Sequence, residues 1–82
     1  MQAMWDSQTG KVTIVGKHIP GKPRHWTVCL RIANDNANER IVFKPAGKLL
    51  LTDLEALVGV HTDEFEKEHG TITKASWVAT AR

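Results

Sequence analysis

The 82-residue chain is 41% hydrophobic and 24% charged, which is the balance of a folded domain and excludes an intrinsically disordered tail. This length predicts one domain, residues 1–82, with a single core. One cysteine excludes an internal disulfide, no apolar run approaches the about 20 residues of a membrane helix, and Met1–Asp6 lacks a signal pattern, so we expect a cytoplasmic protein without a membrane partner.

The charges are unevenly distributed, although the net charge is only +2. Residues 1–50 hold eight Lys or Arg and three acids, a net charge of +5. Residues 51–69 hold six acids and one Lys, a net charge of −5. Separated charge of this kind indicates a molecule with a basic face and an acidic face.

The first 23 residues predict one strand and one loop. Residues 1–5 suit either a frayed start or a short strand. Residues 11–15 alternate as a strand, with Val12 and Ile14 expected in the core. Residues 16–23 contain two Gly and two Pro and are expected to form a loop.

This loop also matches the first seven positions of a P-loop, from Gly16 to Lys22. The phosphate-binding mechanism needs a hydroxyl after the lysine and a helix N-terminus beside it. Pro23 supplies no hydroxyl and a strand follows, so we predict no nucleotide cofactor.

Residues 24–44 predict a β-hairpin. Trp26, Val28, Leu30 and Ile32 alternate with polar or small residues, and residues 39–44 alternate in the same way. The Asn/Asp-rich stretch 34–38 favours a turn between the two strands, because these side chains bond locally and tolerate left-handed backbone.

Residues 52–69 predict a helix. Thr52 and Glu55 have the spacing of a capping box, and apolar residues recur at intervals of three and four from Leu54 to Phe65. Gly59 weakens the middle, so two short helices that meet at residues 59–61 are the alternative to one continuous helix. A helix-turn-helix is disfavoured, because residues 62–69 carry four acids that phosphate would repel.

Residues 71–79 predict a last strand, with Ile72 pointing inward and Trp77 and Val78 on opposite sides. The fold class is therefore α+β: a small antiparallel sheet of three to five strands, with one helix (residues 52–69, continuous or broken) packed on one face.

The sequence predicts neither an enzyme nor a metal site. No nucleophile has a neighbouring base, and His18, His25 and Cys29 lack zinc-ligand spacing. His61, Glu64 and Glu68 share a helical face, but His61 also belongs to the apolar side. We therefore expect no catalytic residues, no metal and no cofactor.

The basic half favours a small non-enzymatic nucleic-acid-binding or regulatory module. Its expected contacts are the cations of the loop and of the outer sheet face: Lys17, His18, Lys22, Arg24, His25, Arg31, Arg40 and Lys44. The alternation places Trp26 and Phe43 inward, so the face lacks stacking aromatics and should bind the phosphate backbone rather than read bases.

The alternative is a protein-interaction module, such as an inhibitor or adaptor of the phage or plasmid accessory type. It would act through an open sheet edge or through an acidic helix that imitates a line of phosphates. The same charge separation is compatible with a homo-oligomer. The acidic residues in question are Glu55, Asp63, Glu64, Glu66 and Glu68.

Overall fold

The computed structural model describes residues 1–82 as a five-stranded antiparallel sheet with one helix packed against one face, which confirms the α+β class. Strand order across the sheet is β2-β1-β5-β3-β4. The elements are β1 (Gln2–Asp6), β2 (Lys11–Val15), β3 (Trp26–Ala33), β4 (Asn38–Phe43), α1 (Leu51–His69) and β5 (Lys74–Ala81).

The predicted hairpin is formed by β3 and β4, with Val28 opposite Phe43 and Leu30 opposite Ile41. Its turn is held by the Asn34 side chain, whose Oδ1 accepts the backbone N–H groups of Asn36 (2.9 Å) and Ala37 (2.8 Å). No residue other than glycine has positive φ, so local hydrogen bonding, and not left-handed backbone, makes this turn.

The helix is continuous from Leu51 to His69, and Gly59 does not divide it. Its start differs from the predicted capping box. The N-cap is Leu50, whose backbone N–H donates to the Asp53 carboxylate at 3.0 Å. The Thr62 hydroxyl donates to the Gly59 carbonyl at 2.8 Å, one turn back within this continuous helix.

The core lies between α1 and the middle strands of the sheet. Leu54, Val58 and Phe65 of α1 face the sheet and are buried. Trp26 is buried at one end of this layer, and its indole Nε1 donates to the Leu49 carbonyl at 2.9 Å. That bond ties β3 to the extended segment that leads into α1. The buried sheet residues are Ala3, Trp26, Val28, Leu30, Ile32, Ala75, Trp77, Ala79 and Ala81.

The last strand lies in the middle of the sheet, between β1 and β3. It begins at Lys74, three residues later than predicted, and Ile72 packs against the core from the segment before it. Trp77 faces α1 and is buried, whereas Val78 points to the opposite face, as the alternation predicted.

The helix leaves the β1–β2 side of the sheet uncovered. Val12 and Ile14 lie on the same side as α1, but they are 37% and 36% exposed. Their prediction as core residues was wrong, because β2 is an edge strand beyond the reach of the single helix. The helix α1 is too polar to serve as a membrane-spanning segment.

Candidate functional site

The face of the sheet opposite α1 carries no helix, and we call it the open face. The strand registers define three of its cross-strand rows. The central row runs from Thr13 through Met4, Val78 and Cys29 to Val42. A neighbouring row runs Lys11, Asp6, Ser76, Arg31, Arg40, and a row on the other side contains Val15, Gln2, Thr80 and Thr27. The middle row of the open face therefore consists of small or apolar side chains, and charged side chains lie in the row beside it.

Cations dominate the open face. It carries one acidic side chain, that of Asp6, whose carboxylate accepts the Gln8 backbone N–H at 2.7 Å. None of its Lys or Arg side chains forms an ion pair, since every pair within 4.0 Å in this protein involves a histidine. These cations are thus free to meet an external anion. They are Lys11, Arg31, Arg40, Lys44, Lys74 and Arg82, all exposed.

Two arginines lie side by side on this face. Arg31 of β3 is directly opposite Arg40 of β4 in the antiparallel register. Like charges directly opposite each other destabilise a sheet, by a few tenths to about 1 kcal/mol. Here no carboxylate compensates for that repulsion.

The same arginines flank the single thiol. Arg40 Nε donates to Cys29 Sγ at 3.4 Å. This hydrogen bond is the largest cause that lowers the pKa of Cys29, partial burial opposes it, and the positive charges of Arg40 and Arg31 add to the lowering. The cluster therefore favours negative charge at the centre of the open face.

A second basic group lies at one end of the open face. Lys44 and Arg82 line a shallow depression together with His25 and Thr27. The Arg82 backbone N–H donates to the His25 carbonyl at 3.2 Å, which fixes the C-terminal residue beside β3. Arg82 thus adds a cation next to Lys44, which the sequence had predicted for this face.

The structure divides the cations that were predicted as one surface. His25, Arg31, Arg40 and Lys44 lie on or beside the open face, as expected. Lys22 and His18 instead line a depression on the helix side, against Leu50–Thr52 at the start of α1.

Arg24 also belongs to the helix side, through its pairing with Leu49. Its Nε is buried without a hydrogen-bond partner. Lys17 is exposed in the same loop, outside every strand.

Sequence reasoning missed Lys74 and Arg82 as members of the basic face. Both follow the alternation of β5, in which Ala75, Trp77, Ala79 and Ala81 are buried. That alternation is visible in the sequence, but the placement of β5 beside β3 is not.

No Trp, Tyr or Phe side chain stands on the open face, and the His25 imidazole lies at one end of it. Trp26 and Trp77 are buried on the helix side, and Trp5 and Phe43 pack against the same core. Bases therefore find no row of Trp, Tyr or Phe rings on which to stack, whereas phosphate groups find guanidinium and ammonium groups.

The acidic residues predicted as a protein-binding set are spread around α1. Asp63 is exposed without an ion-pair partner, and Glu64 lies 4.0 Å from His61. Glu66 has a structural role, because its carboxylate accepts the Ile72 backbone N–H at 3.2 Å. Glu68 lies at the helix end, 3.6 Å from His69. These side chains do not form one continuous line.

Glu55 belongs to a different feature, a cavity beside the helix. This cavity of about 420 Å³ lies between α1 and the uncovered β1–β2 side. Trp5 and Trp77, neighbours in the β1–β5 register, line it with Val12, Val58 and Gly59. Apart from Thr62 and Glu55 its wall is apolar or glycine.

The open face and the helix thus carry opposite charge on opposite sides of the sheet. Comparison of the chain with protein-family models, with curated proteins and with solved structures finds no match.

Proposed function

We propose that this protein is a small non-enzymatic nucleic-acid-binding module that holds a phosphate backbone against its open face. The observation that carries the proposal is the unpaired Arg31–Arg40 couple. A phosphate placed between two guanidinium groups would replace their repulsion with charge-assisted hydrogen bonds.

The dimensions of the open face suit a short length of nucleic acid. Five strands about 4.8 Å apart span roughly 20 Å across, and the eight residues of β3 extend roughly 26 Å. Arg31, Lys44 and Arg82 are distributed along that length. Several phosphates can therefore meet cations at once, while the apolar central row contacts sugars or base edges.

The chemistry of the face favours weak sequence preference. Arginine reads guanine in a duplex groove, but a flat sheet face does not enter a groove as a helix does. Without a row of Trp, Tyr or Phe rings, the face offers no platform for stacking successive single-stranded bases. We propose backbone-directed binding in the cytoplasm, where the free Cys29 would remain reduced.

A salt series with a fluorescently labelled 20-mer tests this proposal, in duplex and single-stranded form. The affinity should fall steeply with salt concentration, with a slope proportional to the number of phosphates contacted. The variant Arg31→Ala/Arg40→Ala should bind more weakly and lose about one from the slope for each contact removed.

The control is Lys17→Ala/Lys22→Ala, which removes the same charge from the loop and leaves the open face intact. It should bind nearly as well as the wild type. No binding at low salt would refute the proposal, and equal losses in both variants would show that overall charge, and not the open face, attracts the nucleic acid.

A second candidate function, protein interaction, is favoured by the β2 edge. All five residues of β2 are exposed, including Val12, Ile14 and the 50%-exposed Val15. An open strand edge with β-branched residues can pair with an extended segment of another chain. Ile14→Pro would remove an outward-facing backbone donor from this edge strand and should abolish such pairing, as measured by sedimentation or pull-down, without change in nucleic-acid binding.

The acidic helix would serve this second function through Asp63 and Glu64, because their carboxylates accept no backbone hydrogen bond. Charge reversal of both (Asp63→Lys/Glu64→Lys) should abolish capture of a basic partner. Unchanged capture would exclude the helix as the contact. Glu66 is unsuitable for this test, since its carboxylate holds the segment after α1.

A further inference from the structure

We propose that Glu39, Glu68 and His69 form a binding site for a divalent transition metal, with Zn²⁺ the best-suited ion. One ligand atom from each residue lies within 4.8 Å of the other two. The site joins β4 to the C-terminal end of α1. It lies on the helix side of the sheet, and the proposal does not depend on nucleic-acid binding at the open face.

Two of the three separations between the ligand atoms match those of a zinc site, and the third is within 4.8 Å. His69 Nε2 lies 3.2 Å from Glu39 Oε1 and 3.6 Å from Glu68 Oε2. Zinc bonds of about 2.0–2.2 Å in a tetrahedral arrangement place ligand atoms about 3.3–3.6 Å from each other. The Glu68 side chain is 74% exposed, so its carboxylate can turn toward a bound metal with little loss of packing.

The charge of the cluster also favours a dication. Two carboxylates face one imidazole nitrogen, and its single proton cannot make a good hydrogen bond to both. With a protonated ring, the three side chains still carry one net negative charge. A Zn²⁺ ion bound to the neutral ring and both carboxylates would leave no net charge.

The imidazole is held in place independently of the two carboxylates. The buried Phe65 ring packs against it at a centroid distance of 4.9 Å. Asn34 Nδ2 donates to the His69 carbonyl at 2.9 Å, so the hairpin turn fixes the backbone at this point. Glu39 lies on a paired strand, opposite Ile32. A site that is ordered before the metal arrives loses less entropy when the metal binds.

The donor set selects among metals. One imidazole with two carboxylates suits Zn²⁺ and its neighbours in the first transition row, whereas Ca²⁺ and Mg²⁺ prefer oxygen alone. With three protein ligands, the fourth position would hold water. The metal would link two elements whose ligands are 30 residues apart in sequence, and should therefore raise the melting temperature.

Titration of the EDTA-treated, dialysed chain with ZnCl₂ tests the site, with isothermal calorimetry and a thermal melt as readouts. One Zn²⁺ per chain should bind, and the melting temperature should rise. His69→Gln, Glu39→Gln and Glu68→Gln should each weaken zinc binding by at least about tenfold. Co²⁺ in place of Zn²⁺ should give the visible absorption of a tetrahedral site in the wild type.

The matched control is His61→Gln/Glu64→Gln, which removes another neighbouring His–Glu pair of α1, 4.0 Å apart, that has no third ligand. It should bind zinc as the wild type does. Far-UV circular dichroism and a urea midpoint in EDTA show that each variant is folded.

Three results would overturn the proposal. The first is absence of zinc binding by the folded wild type. The second is an equal loss in the control variant. The third is binding of Ca²⁺ as tight as that of Zn²⁺ and retained by His69→Gln, which would indicate a carboxylate site without the imidazole.

Discussion

Arg31 and Arg40 lie directly opposite each other on adjacent strands, without a carboxylate near either, on the sheet face that the helix leaves open. A protein of this size has a free energy of unfolding of roughly 4–12 kcal/mol. The repulsion between Arg31 and Arg40 is therefore a measurable fraction of this free energy, and binding of an anion would offset it.

Arg40→Thr should stabilise the free protein at low salt, by about 0.2–1 kcal/mol, because it relieves the repulsion and places a β-branched residue on the strand. Urea unfolding at two salt concentrations measures this gain, which should shrink as salt screens the charges. Lys22→Thr in the loop should change the free energy of unfolding by less than about 0.5 kcal/mol. A loss of stability in Arg40→Thr at low salt would show that the arginine pair does not strain the sheet.

The reactivity of Cys29 should depend on Arg40. The hydrogen bond from Arg40 lowers the pKa of the thiol below its ordinary value, so more thiolate is present at neutral pH than in an unperturbed cysteine. Arg40→Ala should raise this pKa and slow alkylation by iodoacetamide, with the inflection of the rate-against-pH curve displaced to higher pH.

Arg31→Ala is the comparison for this measurement, because Arg31 makes a smaller contribution to the same shift. Its alkylation rate should fall less than that of Arg40→Ala. Equal rates in all three proteins would contradict the assigned hydrogen bond.

Leu30→Ala should destabilise the fold by about 2–5 kcal/mol, because Leu30 is fully buried and the space it leaves lies between Trp77 and Ile41 on the neighbouring strands. Urea denaturation followed by tryptophan fluorescence measures the change. Val42→Ala removes an apolar side chain that is 58% exposed on β4 and should cost less than about 1 kcal/mol. Equal losses would contradict the assignment of the two sides of the hairpin.

Gly59→Ala should stabilise the protein by about 0.5–1 kcal/mol. Gly59 lies inside the continuous helix, and an added Cβ would meet no atom within 4 Å. Thermal unfolding measures the gain. Gly47→Ala is the control, since Gly47 has a φ of +73° and alanine there should destabilise, although the space around it is equally open. A loss of stability in Gly59→Ala would indicate that the helix is interrupted at this residue.

The sequence predicted those features that depend on local periodicity. The alternation in residues 26–33 identified the buried face of β3, because each side of a strand meets a single environment. The spacing of Leu54, Val58 and Phe65 identified the buried face of α1 for the same reason. The helix start was less predictable, since Leu50 and Asp53 make a cap that depends on where the preceding segment enters.

Only the tertiary structure decided which distant elements meet. Placement of β5 in the centre of the sheet adds Lys74 and Arg82 to the basic face, and no local pattern of residues encodes strand order. The loop cations His18 and Lys22 turned to the helix side, because the loop closes against the start of α1.

The meeting of Glu39 with His69 arises in the same way, across 30 residues, when the helix returns over the hairpin. Local chemistry thus determined the elements and their faces. The packing of these elements around a common core determined the two charged surfaces and the sites that lie between elements.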